Sequence, residues 1–127
     1  MLEVAAGKVR AYENVFDALR REVHEETGLR LTTIEGEATP TICTVNGYQV
    51  MSYTPFCTTQ NLSGGYSILL HSFICEAEGE PLARTSEARN LRWMSLDECR
   101  HHLQSHPEAF YSLHLNALSL YLGQEIP

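Results

Sequence analysis

Between Val15 and Thr27 the apolar residues Phe16, Leu19 and Val23 recur at i, i+3 and i+7 among charged neighbours, the spacing of one helical stripe that packs on a core. Asn14 stands where a side chain would cap the first free amides, and Gly28 where a left-handed residue would end the helix. The pattern therefore predicts a helix over 15–27. A short strand, Leu2 to Ala5, precedes it, and Leu31 to Ile34 reads as a strand after it. Thr39 to Val45 and Tyr48 to Thr54 flank Asn46-Gly47, a dipeptide suited to a tight hairpin turn. Gly64-Gly65 precedes Ser67 to Ala77, whose run from Ile68 to Cys75 is apolar enough for a central strand, and Leu91 to Met94 makes a further strand. Ser95 and Glu98 have the spacing of a capping box opening a helix through Gln104, and Pro107 precedes a second helix to about Leu122. This order is that of a mixed α/β sandwich.

The polar side of the first helix carries the chemistry. At about 100° per residue, Glu22 and Glu26 lie within roughly 40° of each other, and Glu25 lies about 60° to the other side. Three carboxylates thus share one face and repel, and no Lys or Arg occupies the same narrow sector to neutralise all of them. Hard carboxylate oxygens suit Mg²⁺ or Mn²⁺, whereas zinc would call for His or Cys at close spacing. A solvated acidic face is the plain alternative. Arg21 is a planar donor beside these glutamates, able to grip one bidentately and hold its orientation. Glu13, near the helix start, interacts favourably with the helix dipole and reads as structural. Gly7 permits a turn between the first strand and the helix and allows main chain to approach a ligand closely.

Taken together, the residues Gly7, Glu13, Arg21-Glu22-Val23, Glu25-Glu26 and Gly28-Leu29 resemble the signature box of the Nudix hydrolase family at every defined position. The resemblance implies a Nudix-like α/β/α sandwich with a mixed sheet, α/β (α+β) in class, and a single domain over residues 1–127. It also implies hydrolysis of a nucleoside diphosphate linked to another moiety, a nucleotide or nucleotide sugar, by water attack on phosphorus with Mg²⁺ or Mn²⁺ as cofactor. On that basis Glu22 and Glu26 are the direct metal ligands, Glu25 bridges metals or orients the attacking water, and the carbonyl of Ala6 joins the metal shell. Related enzymes draw the general base from the box or from a later loop. Glu87, six residues before Trp93, is spaced like the loop glutamate of some mutator-type members and is a candidate base and ligand, against the alternative of an exposed loop glutamate.

Charge narrows the partners. Nine Lys plus Arg against sixteen Asp plus Glu give a net charge of −7, which disfavours a nucleic-acid polymer and makes metal more necessary for an anionic substrate. Lys8 and Arg10 alternate around Val9 beside the metal loop and are candidates for a terminal phosphate, or else solvent-facing charges. Arg84 is a weaker candidate of the same kind. Tyr48, Tyr53, Phe56 and Tyr66 offer faces for a base, with core or rim packing as the alternative. Cys43, Cys57, Cys75 and Cys99 form no C-x-x-C pair, and no signal or long apolar run is present. This favours buried, reduced thiols, a cytoplasmic location and no membrane association. His101, His102 and His106 cluster in a predicted surface helix and its exit.

The chain departs from the family in two respects. The box begins at Gly7, where most members carry further strands in front, so an N-terminally shortened sheet is expected, with an open edge covered by a second copy in a homodimer. Ala5-Ala6-Gly7 replaces the more usual Pro-Gly-Gly and is slightly closer to the Pro-Ala-Gly form of ADP-sugar pyrophosphatases. Two other readings stand beside the hydrolase: a Nudix-like nucleotide-binding or regulatory domain that does not cleave, and a purely structural fragment.

Overall fold

A computed structural model of the chain describes residues 1–85 and 89–127. The first element is helix α1, Val15–Thr27, with both predicted ends in place. The Asn14 side chain accepts the Phe16 N–H at 2.8 Å, and Gly28, at φ 78°, adopts the left-handed conformation and donates its N–H to the His24 carbonyl. Thr27 adds a further tie by accepting the Leu29 N–H through its hydroxyl. The buried face of α1 is Phe16, Ala18 and Val23. Phe16 meets Tyr53 and Phe73 edge-on at 6.0 and 5.8 Å, and burial of a side chain of this kind contributes about 2 kcal/mol.

Among the described residues six short strands follow in order: β1 Arg30–Ile34, β2 Thr41–Val45, β3 Tyr48–Ser52, β4 Cys57–Gln60, β5 Leu69–Ser72 and β6 Cys75–Glu78. They form three two-stranded antiparallel ladders, β1 with β6, β2 with β3 and β4 with β5. The expected mixed sheet is corrected accordingly. Among the described residues the parallel component is the isolated bridge Leu2 to Phe110, which is also all that forms of the strand expected at Leu2 to Ala5. The β2–β3 pair is the predicted hairpin: Asn46 and Gly47 both have positive φ, 54° and 80°, as a type I′ turn requires.

Two other expectations change. The long strand expected over Ser67 to Ala77 is two strands with different partners, because Phe73 turns into the core against Phe16 and interrupts the ladder. Leu69 is exposed, so this run does not lie at the centre of a sheet. Leu91 to Met94 forms no strand, and Trp93 within it is exposed. Conversely β4 is a strand that its polar Cys-Thr-Thr-Gln sequence does not announce; it exists through pairing with β5.

The C-terminal part comprises α2, Leu96–Ser105, a single 3₁₀ turn at Pro107–Ala109, and α3, Ser112–Leu122. Ser95 caps α2 by accepting the Glu98 N–H at 3.1 Å, while the Glu98 carboxylate turns to Arg92 instead of completing the box. Leu103, Phe110 and Leu122 make a second buried cluster, joined by half-buried Leu2, Leu115 and Leu118. The N-terminal segment therefore packs on the C-terminal helices before leading to α1.

Candidate active site

The loop from Ala6 to Glu13 and the last turns of α1 are held together by Arg21. Its Nε and Nη2 donate to the two Glu13 carboxylate oxygens at 2.8 Å each, Nη2 also reaches the Lys8 carbonyl at 3.0 Å, and Nη1 donates to Glu22 Oε1 at 2.6 Å. Glu25 Oε2 lies at the limit of the same group, 3.5 Å away. The bidentate grip anticipated for Arg21 is real, but its object is Glu13 in the loop rather than a helix glutamate. Glu13 also accepts the Arg10 N–H, and these donors hold its carboxyl down at about 2, with the Arg21 hydrogen bonds the largest cause. Arg21 is correspondingly pushed up by Glu13 first and Glu22 second.

The helix glutamates are held differently. Glu22 is largely covered and lies against Gly7, whose missing side chain is what admits it: a Cβ on Gly7 would overlap the Glu22 carboxyl group. Gly7 has no positive φ, so close approach, not backbone conformation, is what demands glycine here. Glu26 Oε2 accepts the Ala6 N–H at 2.9 Å. The Glu25 side chain is 41% exposed and has Arg10 at 4.0 Å. Glu22 and Glu26 therefore both touch the Ala6-Gly7 segment, while Glu25 faces outward.

Among the described residues no three His, Cys, Asp or Glu side chains converge closely enough to hold a cation. The donor chemistry nonetheless fits Mg²⁺ or Mn²⁺, which are bound through one or two carboxylates and keep several waters. The glycine cradle that leaves room for the Glu22 carboxylate supports the fit. Glu22, Glu26 and the Ala6 carbonyl are the groups that would hold such an ion.

Glu87 lies outside the described residues. The segment leading to it docks on α1, with the Leu82 N–H donating to the Thr27 carbonyl and the Thr85 hydroxyl donating to the Glu26 carbonyl at 3.0 Å. Nothing in the sequence marked Leu82 or Thr85 for this, because both bonds end on helix carbonyls. Lys8 is exposed and its carbonyl accepts from Arg21, and the Arg10 side chain is 68% exposed.

The aromatic candidates separate. Tyr53 is core, Phe56 packs on Tyr121, and Tyr48 is exposed on the hairpin. Tyr66 borders a cleft of about 350 Å³ shared with Asn61, Tyr111 and Asn116. Arg84 sits in an isolated bridge with Arg89. His102 and His106 pair separately with Glu98 and Glu108. None of the cysteines is disulfide-bonded; Cys43 is exposed and the others half-buried, which corrects the expectation of buried thiols. Burial pushes the Cys75 thiol up to about 11. Among the described residues no helix is long and apolar enough to cross a membrane.

An α+β domain whose acidic helix is pinned beneath a glycine loop is the class that fold and site define. The model of the NUDIX domain matches residues 1–114, and the chain belongs to that family, whose general activity is hydrolysis of nucleoside diphosphate derivatives. Neither a curated protein nor a solved structure matches it.

Proposed function

We propose that this protein hydrolyses the pyrophosphate bond of a nucleoside diphosphate linked to another moiety, a nucleotide or nucleotide sugar, using Mg²⁺ or Mn²⁺. The observation that carries the reading is the Arg21 girdle, which spends its donors on Glu13, Glu22 and the loop carbonyl to hold an acidic helix against Gly7. A binder would gain nothing from so crowded a carboxylate face.

Glu22, Glu26 and the Ala6 carbonyl would hold the metal, which would supply charge neutralisation for phosphate oxygens and a lowered pKa for water. Water oxygen then bonds to phosphorus as the bridging P–O bond breaks, and the departing phosphate carries away the bridging electron pair. The water proton passes to a carboxylate. Glu25, the outward-facing member of the triad, is one acceptor. Glu87, two residues after Thr85 in the sequence, is the other. Lys8 and Arg10 flank the loop as grips for a terminal phosphate.

Two ancillary readings belong with this one. Four unpaired cysteines accord with a reducing, cytoplasmic setting. The β2–β3 hairpin leaves Ile42, Val45, Tyr48 and Val50 exposed, an apolar surface that supports a homodimer. A concentration-independent monomer mass in sedimentation would remove the dimer.

The function is tested by release of phosphate or nucleoside monophosphate from nucleoside triphosphates, dinucleotides and nucleotide sugars, with Mg²⁺, with Mn²⁺ and with chelator. Metal-dependent turnover that disappears in Glu26→Gln supports the hydrolase. The second reading, a domain that holds a nucleotide without cleaving it, is supported by the Ala6 N–H that already occupies Glu26 Oε2. Nucleotide affinity that survives Glu26→Gln, without turnover in either form, would establish it.

A further inference from the structure

The segment from Leu2 to Gly7 is a strap fastened at both ends. At its start the Leu2 N–H donates to the Ala109 carbonyl at 2.7 Å, and the Tyr111 N–H donates to the Leu2 carbonyl at 2.8 Å. At its far end the Ala6 N–H meets Glu26 and Gly7 lies on Glu22. Between them the Val4 N–H has a side chain for a partner: it donates to His114 Nδ1 on α3 at 3.2 Å.

His114 is an unusual choice for that position. It is 3% exposed in a helix otherwise rich in leucine, with the Tyr111 ring perpendicular to it at 5.0 Å. Because Nδ1 accepts, the neutral ring carries its proton on Nε2, and Nε2 is buried without a hydrogen-bond partner. A buried donor left unmade costs free energy that an apolar side chain would avoid. The compensating use of the imidazole is its other nitrogen, and that nitrogen acts on the strap.

We propose that His114 is a positioning residue for the glutamate site, its Nδ1 holding Val4 so that the strap seats Ala6 on Glu26 and Gly7 on Glu22. Val4 and Ala6 are two residues apart, so a bond at one fixes the other to within about 7 Å even in a fully extended chain. His114 itself touches neither substrate nor metal. As a statement about metal binding and turnover this rests on the hydrolase reading; as a statement about the strap it does not.

Asn and Gln separate the two ring nitrogens. His114→Asn places an acceptor near the Nδ1 position, whereas His114→Gln keeps more of the ring's volume but carries its amide toward the Nε2 position. A packing role predicts that Gln is tolerated at least as well as Asn; a positioning role predicts the reverse. The full chain is assayed for Mn²⁺ affinity by calorimetry, for hydrogen exchange at residues 4–7 without metal, and for kcat. The expected result is near wild-type behaviour in H114N, and in H114Q faster exchange at Val4 and Ala6 with about tenfold weaker Mn²⁺ binding. His114→Leu, which removes the orphaned N–H and so preserves the fold, shares the H114Q loss. Equal or slower exchange in H114Q and H114L than in H114N overturns the proposal. If the wild-type chain neither binds Mn²⁺ nor hydrolyses any nucleotide, the hydrolase reading fails, while the exchange comparison still decides whether His114 holds the strap.

Discussion

Gly7 and Glu22 are packed so closely that the Glu22 carboxyl group fills the space a side chain on Gly7 would take. The consequence is specific. In Gly7→Ala the new methyl overlaps Glu22 and forces that carboxylate away from its bond to Arg21 Nη1. Misplacing a reacting group by an ångström costs about 10²-fold in rate, so kcat is expected to fall by about that factor. Glycine at this position is not needed for a positive φ, so the melting temperature should move little. Loss of stability with retained kcat would show that the glycine serves the turn and not the carboxylate.

Arg21 to Lys is expected to be far from conservative. One ammonium cannot reproduce donations to both Glu13 oxygens, to Glu22 and to the Lys8 carbonyl, because these diverge from a planar fork. Losing these charge-assisted bonds is expected to lower the urea unfolding midpoint, with solvent screening of the partly exposed carboxylates keeping the loss modest. The discriminating variant is Glu13→Gln, which keeps an acceptor for Arg21. It should retain more stability and more activity than R21K.

The Glu13 carboxyl gives that pair a pH signature. Arg21 and the Arg10 N–H lower it from 4.5 to about 2 in the folded chain. A folded value below the unfolded one means the unfolded state takes up the proton first, so the stabilisation is complete above about 4.5 and is lost as pH falls toward 2. Glu37, lowered by its bond to Arg20, acts in the same direction. Thermal unfolding of wild type and Glu13→Gln should differ most near neutrality and converge over that acid window. A gap that stays constant with pH would remove Arg21 as the cause.

How much of this could be read before folding depends on whether the determinant is local. The caps of α1 were legible because Asn14 and Gly28 act on amides and carbonyls within one turn, and Asn46-Gly47 because its two positive φ values fix the hairpin by themselves. The strand β4 was not, since Cys57–Gln60 has no apolar alternation and is a strand only through Leu69–Ser72. The glutamates were found by helical spacing. Their restraints were not: Glu13 belongs to the loop rather than to the helical face of the glutamates, and His114 reaches the site through Val4. Long-range polar bonds of this kind leave no period in a sequence.

Thr85 offers a way to decide between the two candidate bases. Its hydroxyl donates to the Glu26 carbonyl and so ties Thr85 onto α1, two residues before Glu87 in the sequence. Thr85→Val keeps the shape and removes that donor. If Glu87 takes the proton, loosening its anchor should lower kcat several-fold and leave Mn²⁺ affinity unchanged. If Glu25 takes it, kcat should be indifferent to Thr85, and Glu25→Gln should instead remove the proton acceptor and with it the acid limb of the profile, a loss of about 10²–10⁴ for a general base. The pH profile of kcat in the two variants separates these outcomes, because only the variant that disturbs the true base shifts the acid limb of the profile.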